Sequence, residues 1–230
     1  MEKLPKHIVI IPDGNRRWAQ KQGLAIFSGH EKGAAVTEGI IDAALELKIP
    51  YFTFWGSSLN NIEKRSKTEV KFLFKLFEKN FRKLLADEKI RKNGIRVNIF
   101  GRWQESFPKN LVAVMEEIVA RTQGYDNYHL TFLMAYSGLD EMTEAVKKIQ
   151  AGGQTVTPAI IKQNLWTRDL PAVDLVIRTG GEPHWSNGLM MWDVADAQLY
   201  FTNTLYPDFT PEEFKKALRE FARTERRFGE

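Results

Sequence analysis

A chain of 230 residues that is 43% apolar and 27% charged can bury one substantial core, and it is too hydrophobic to be a disordered tail or spacer. The absence of cysteine excludes a disulfide framework and a thiolate zinc site, and it agrees with a reducing, cytoplasmic setting. A formal charge of +4 and a pI near 9.1 favour anionic ligands, and no stretch approaches the roughly 18 apolar residues of a membrane span. With MEKLPK running straight into the first apolar stretch, no signal peptide is expected.

The β-branched run His7–Ile11 predicts a buried parallel strand, stopped by Pro12, which has no N–H to give a ladder. A carboxylate, a glycine, an amide and two guanidiniums follow at once: Asp13, Gly14, Asn15, Arg16 and Arg17. The residues Gln20–Gly33, with Gly23, Gly29 and Gly33, read as a loop. The spacing of Val36, Ile40, Ala44 and Leu47 predicts a helix after it. Tyr51–Trp55 is a second strand, and the polar stretch Gly56–Lys67 lies behind it. Val70, Phe74, Phe77, Phe81 and Leu84 mark a long amphipathic helix, and Asn93-Gly94 a turn into a third strand, Ile95–Phe100. A helix through Leu111, Met115, Ile118 and Val119 leads to a fourth strand, His129–Ala135. Leu139–Gln150 is predicted helical with Met142, Val146 and Ile149 inward. Ala151–Pro158 reads as a loop, and Ile160–Trp166 as a helical turn or two. Val173–Ile177 is a fifth strand, Arg178–Gly188 a polar loop, and Leu199–Phe201 a short sixth strand. Thr210 as N-cap, Pro211 at the first helical position and Glu213 in a capping box open a last helix, whose stripe is Phe214, Ala217, Leu218 and Phe221.

Strands alternating with helices imply right-handed crossovers. The predicted fold class is α/β, with a mostly parallel central sheet of about six strands flanked by helices. No repeat or linker divides it, so residues 1–230 are expected to form a single domain. In a parallel sheet every strand's carboxyl end lies on one side, where ligands bind. The loops after strands one, two and five therefore share a rim. They carry Asp13 to Arg17; then Ser57, Ser58, Asn60 and Arg65; then Arg178, Gly180, Gly181, Glu182, His184 and Ser186. Each loop alone reads equally as solvated surface. Together they suit a magnesium-bound oligophosphate, with Asp13 on the cation and arginine forks on the phosphate oxygens. Phe52, Phe54, Trp55, Phe72, Phe74, Phe77 and Phe81 are either core or the wall of an apolar tunnel.

HIVIIPDGNRRWA closely resembles the opening signature of the cis-prenyltransferases, the undecaprenyl diphosphate synthase family. GHEKGA, SSLNN with Arg65, DLVIRTGGE, LYFTNTLYPDF and ERRFG match further family motifs in order over essentially the whole chain. The resemblance implies a homodimeric α/β enzyme that uses magnesium. It would transfer an allylic prenyl group from a diphosphate, such as farnesyl or geranylgeranyl diphosphate, to isopentenyl diphosphate. By that resemblance Asp13 holds the magnesium, and Gly14, Asn15, Arg16 and Arg17 cradle the allylic diphosphate beside Trp18 and His30. Asn60 takes part in proton removal near Ser57 and Ser58, with Arg65 as neighbour. Arg178 and Ser186 hold the second diphosphate, His184 stands in the same loop, and Arg227 and Gly229 reach the partner subunit's site. Peripheral membrane contact through the lipid product is expected.

This chain departs from the family pattern at three places. RTGGEPHWS carries His184 where a second arginine is usual, with Pro183 before it and one extra residue before Trp192. Gln198 replaces a glutamate associated with magnesium, and Ile26 an arginine ahead of the Gly29-His30 pair. Losing a guanidinium fork weakens phosphate recognition, so an altered acceptor is a second expectation: irregular coupling to dimethylallyl diphosphate or O-prenylation of a prenyl alcohol. Trp55 and Phe54, bulky along the expected tunnel, hint at a short- or medium-chain product. A non-catalytic subunit would lack Asp13 and its neighbours. An RNA-binding α/β module finds no signature among the scattered basic residues, so no nucleic-acid partner is expected.

Overall fold

Every strand of the central sheet runs the same way. The computed structural model describes residues 4–224. Its strands are β1 (His7–Ile11), β2 (Tyr51–Trp55), β3 (Ile95–Phe100), β4 (Tyr128–Leu133), β5 (Leu175–Arg178) and β6 (Gln198–Phe201), in the spatial order β3-β4-β2-β1-β5-β6. All five pairings are parallel. The chain first builds outward from β1 through β2, then crosses to the other side with β5, so the strand order reverses between β1 and β5. That reversal opens a crevice beyond the carboxyl ends of those two strands.

The helices are α1 (Asn15–Lys21), α2 (Ile26–Glu46), α3 (Leu59–Lys64), α4 (Lys67–Ala86), α5 (Glu88–Lys92), α6 (Trp103–Ser106), α7 (Lys109–Thr122), α8 (Gly138–Ala151), α9 (Pro158–Asn164) and α10 (Pro211–Arg223), with a 3-10 turn at Tyr206–Asp208. All five residues of β1 are buried, as a strand covered on both faces requires. Ile8 and Ile10 pack into one core with Ile40 of α2, Met115 of α7 and Phe214 of α10. Val9 and Ile11 face the other way, into a second core with Trp55, Tyr136, Leu189 and Met190. The last helix forms as its cap predicts: Thr210 accepts from the Glu213 N–H, and Phe214, Ala217, Leu218 and Phe221 are buried.

Two expectations fail for identifiable reasons. The residues 20–33 are mostly helix, with a break only between Lys21 and Ile26. Gly29 and Gly33 are not turn formers there. A Cβ at Gly29 would stand 2.0 Å from the Asn15 carbonyl oxygen, and one at Gly33 2.3 Å from Asn15 Oδ1, so both glycines let α1 lie directly on α2. On α8 the buried positions are Gly138, Glu141, Ala145 and Ile149, while Val146 is 55% exposed and Met142 only partly buried. The inward stripe is turned by one residue because it contains a buried acid. Glu141 accepts from the Thr167 N–H (2.8 Å) and hydroxyl (2.9 Å) and from the Tyr136 hydroxyl. Strand β5 also runs one residue past its predicted end, which makes Arg178 a strand residue rather than the start of a loop.

Candidate active site

The crevice between β1 and β5 brings Asp13 to Arg178. Ile11 and Arg178 are register partners, and the chain reaches Asp13 two residues later. The Asp13 backbone is pinned: its carbonyl accepts from Thr179 Oγ1 (2.7 Å) and the Tyr206 N–H (3.0 Å). Its carboxylate lies between two guanidiniums, Oδ1 accepting from Arg17 Nη2 and Oδ2 from Arg178 Nη2, both at 3.0 Å. Arg178 is 5% exposed and also donates from Nη1 to the His184 carbonyl at 2.8 Å. Its Nε is buried with no partner. A buried N–H donor with nothing to bind costs free energy, and a phosphate oxygen is the acceptor such a fork fits. Gly180, at φ +89°, is what admits the arrangement: a Cβ there would stand 2.7 Å from Arg17 Nη2.

A second polar group stands across the crevice. His30 of α2 lies 3.2 Å (Nε2) from Glu69 Oε1, and Arg65 Nε approaches the same oxygen at 3.5 Å. Burial, then the Arg65 charge, holds the His30 pKa below its ordinary value. The ring is therefore neutral at pH 7 and donates Nε2–H to the carboxylate. Sequence reading missed Glu69. Its signal was the i,i+4 spacing from Arg65 at the start of a helix.

These groups head a cavity of about 760 Å³. Asp13, Gly14, Asn15, Arg16, Arg17, His30, Ser57, Ser58, Arg65, Arg178 and Ser186 all line it, so eleven predicted site residues are brought together. Past them the wall is Phe54, Leu73, Leu76, Phe77, Phe81 and Phe132. The serines also have structural work: Ser57 Oγ accepts from the Ala135 N–H at 2.8 Å, and Ser58 caps α3. Three predicted residues stand outside the lining. The Trp18 indole donates to Asp208 at 2.8 Å, fastening α1 to the 3-10 turn. Asn60 is exposed on α3, whereas its neighbour Asn61 lines the cavity. The His184 ring is exposed, 3.7 Å from Glu182, and only its carbonyl reaches Arg178. Arg227 and Gly229 lie outside the described residues. Gln198 pairs with Leu175 at the start of β6, three ladder steps from the Arg178–Phe201 pair, or about 10 Å along the strand.

Among the described residues no cluster of three or more His, Asp or Glu side chains could hold a metal by itself. One acid, Asp13, heads the cavity among arginines. That donor set fits magnesium, which commonly binds through one or two carboxylates with the substrate's phosphates supplying the rest. Among the described residues no helix is long and apolar enough to cross a membrane.

Residues 11–229 match the family model for undecaprenyl diphosphate synthase. The chain is 39% identical over 233 residues to a tritrans,polycis-undecaprenyl-diphosphate synthase (geranylgeranyl-diphosphate specific) of Pyrococcus furiosus, covering 98% of this chain and 87% of that one. It is 41% identical over 232 residues to an isoprenyl transferase of Aquifex aeolicus, covering 99% and 96%. Its fold matches the crystal structure of lavandulyl diphosphate synthase from Lavandula x intermedia in complex with dimethylallyl diphosphate, with a TM-score of 0.92, 31% identity and 99% of each chain covered. A probable undecaprenyl diphosphate synthase from Campylobacter jejuni matches with a TM-score of 0.81 and 26% identity over the whole of both chains.

Proposed function

Because the chain belongs to the undecaprenyl diphosphate synthase family of prenyltransferases, we propose that it extends an allylic prenyl diphosphate with isopentenyl diphosphate to a short- or medium-chain polyprenyl diphosphate. The observation that carries this reading is the Asp13 carboxylate set between Arg17 and Arg178 at the head of a cavity whose wall turns to Phe and Leu. A charged head group and a hydrocarbon tail would use the two halves of that cavity, the second as an apolar tunnel.

Asp13 would hold magnesium, which when bound neutralises charge that develops on the departing diphosphate. Arg16 and Arg17 orient the allylic diphosphate, and Arg178 and Ser186 the acceptor's. The C–O bond of the allylic diphosphate breaks, and the electron pair leaves on the diphosphate. The acceptor alkene then bonds to the allylic carbon, and a proton is lost. Neutral His30, with its N–H already given to Glu69, adds no charge beside the forming cation. The aromatic wall keeps water from capturing that cation. Asn60 assists proton loss, which requires α3 to turn its exposed amide inward when substrate is present. Arg227 and Gly229 would complete the site of a partner subunit. A homodimer is supported by the edge strand β6, which leaves Leu199 46% and Phe201 40% exposed. We place the enzyme in the cytoplasm, touching the membrane through its product.

The test is incubation of the purified protein with magnesium, farnesyl or geranylgeranyl diphosphate and labelled isopentenyl diphosphate. Labelled polyprenyl diphosphate is expected, and it should be lost in Asp13→Ala. No product from the parent, or undiminished product from the variant, would reject the reading. The fold match to lavandulyl diphosphate synthase favours one second reading, irregular coupling to dimethylallyl diphosphate. Faster product formation with dimethylallyl than with isopentenyl diphosphate would establish it in place of elongation.

A further inference from the structure

The far end of the cavity is charged. Glu38 and Asp42 of α2, Lys83 of α4 and Lys89 of α5 all line it. They are joined across the helices: Lys83 Nζ lies 2.7 Å from Glu38 Oε2, and Lys89 Nζ 2.7 and 2.8 Å from the two Asp42 oxygens. Their side chains are 43–66% exposed, so the pairs stand where the cavity meets water. His30, at the phosphate end, and Asp42 are twelve residues apart on α2, about 18 Å of helix. Phe77, Phe81 and Phe132 line the cavity as well, as part of its apolar wall.

If the prenyl chain occupies the aromatic stretch, as the function proposed above requires, each added unit pushes its hydrocarbon end, the one opposite the diphosphate, toward these charges. Each methylene placed among the phenylalanines gains from leaving water. The next one, pushed between ion-paired carboxylates and ammoniums, gains no such burial and strips water from charges that need it. We propose that the interhelical ion pairs Glu38–Lys83 and Asp42–Lys89 are the terminal stop of the substrate cavity and set product length. The stop is energetic rather than steric. Exposed ion pairs are weak and rearrange easily, so they discourage a longer chain without sealing the exit.

Product length from geranylgeranyl diphosphate and labelled isopentenyl diphosphate, read by reversed-phase chromatography, tests this. Removing both carboxylates with Glu38→Leu and Asp42→Leu extends the apolar wall, and the main product should lengthen by at least one isoprene unit. Lys83→Leu with Lys89→Leu removes the other half of each pair and should act in the same direction if the first variant folds poorly. Exchanging the charges (Glu38→Lys with Lys83→Glu, Asp42→Lys with Lys89→Glu) preserves the pairs and should preserve the parent length. Raising salt should lengthen the parent's product and leave that of the leucine variants unchanged. A parent-like length distribution from both leucine variants overturns the stop while leaving elongation standing. Equal lengthening by the exchange variant also overturns it. A parent that makes no elongated product overturns the elongation reading and the stop together.

Discussion

Gly29→Ala adds one methyl group, yet it should disable the candidate site. The new Cβ would stand 2.0 Å from the Asn15 carbonyl oxygen and 2.9 Å from its carbon, well inside the 3.4 Å at which ordinary contact begins. The nearest atoms are backbone, so no side chain can swing aside, and α1 must move off α2 by more than 1 Å. That helix carries Arg16 and Arg17, and Arg17 holds Asp13 at 3.0 Å. Overpacking of this kind costs about 1–3 kcal/mol of stability, or roughly 3–10 °C in Tm for a chain of this size. The catalytic loss should be larger, because a misplacement of about 1 Å at reacting groups costs on the order of 100-fold in rate. Steady-state transfer of labelled isopentenyl diphosphate, with the allylic diphosphate varied, should show that fall in kcat/KM while helical circular dichroism is kept. Gly39→Ala is the control on the same helix, since its Cβ would meet only Pro211 Cγ at an ordinary 3.6 Å. It should be neutral, or stabilising by up to about 1 kcal/mol through helix propensity. Parent-like kcat/KM and Tm in Gly29→Ala would refute the assignment of that glycine to helix packing.

Arg178→Lys keeps the charge but not the planar fork that reaches Asp13 and the His184 carbonyl together, so kcat/KM should fall by about 10²–10³ in the same assay. Asn60→Ala should lower kcat by roughly 10²-fold with KM kept, whereas Asn61→Ala, on the cavity wall, should raise KM instead. The reverse pattern of kinetics would transfer the proton-removal role to Asn61. Burial lowers the His7 pKa from 6.5 to about 4, and the ring is held neutral between the Pro171 carbonyl at 2.9 Å and the Thr53 hydroxyl at 2.9 Å. The unfolded chain takes up this proton near pH 6.5 and the folded chain only near 4, so the contribution is full above 6.5 and lost as pH falls through that window. It amounts to about 3 kcal/mol. Urea unfolding at pH 7.5 and 4.5 should show that loss, and His7→Gln should remove it from the difference between the two curves.

Much of this architecture was legible because the strands are short, apolar and ended by strong breakers. β1, β2 and β3 fall at their predicted bounds, and Asp13, Arg16, Arg17, Arg178 and Ser186 meet because parallel strands put their loops on one rim. What stayed hidden depends on partners distant in sequence. Gly29 and Gly33 look like loop glycines until α1 is laid against them. Glu141 looks like a solvated helix acid until Tyr136 and Thr167 arrive to satisfy it. Asn61, Glu38 and Asp42 are ordinary polar helix residues by every local pattern. Only the packing of α2, α3, α4 and α5 around one space gives them a cavity to line.

The same geometry bears on the departures at His184 and Gln198. Gln198 begins β6, about 10 Å along the strand from the Arg178 pairing, so within one chain it is remote from the carboxylate rim. The His184 ring is exposed beside Glu182, and the backbone contact from its carbonyl to Arg178 survives any side chain at that position. On the function proposed above, histidine at 184 in place of the family's usual arginine would remove positive charge from the acceptor side without undoing the grip of Arg178 on Asp13. Isopentenyl and dimethylallyl diphosphate carry the same head group and differ only in where the double bond lies. A weaker phosphate grip lowers the affinity of both by the same factor, and uniform binding terms do not choose between substrates. Acceptor choice must rest on the groups around the alkene and on whichever side chain accepts the departing proton. On the function proposed above, those would be the neighbourhood of Ser57, Asn60 and Asn61 rather than the loop that carries His184.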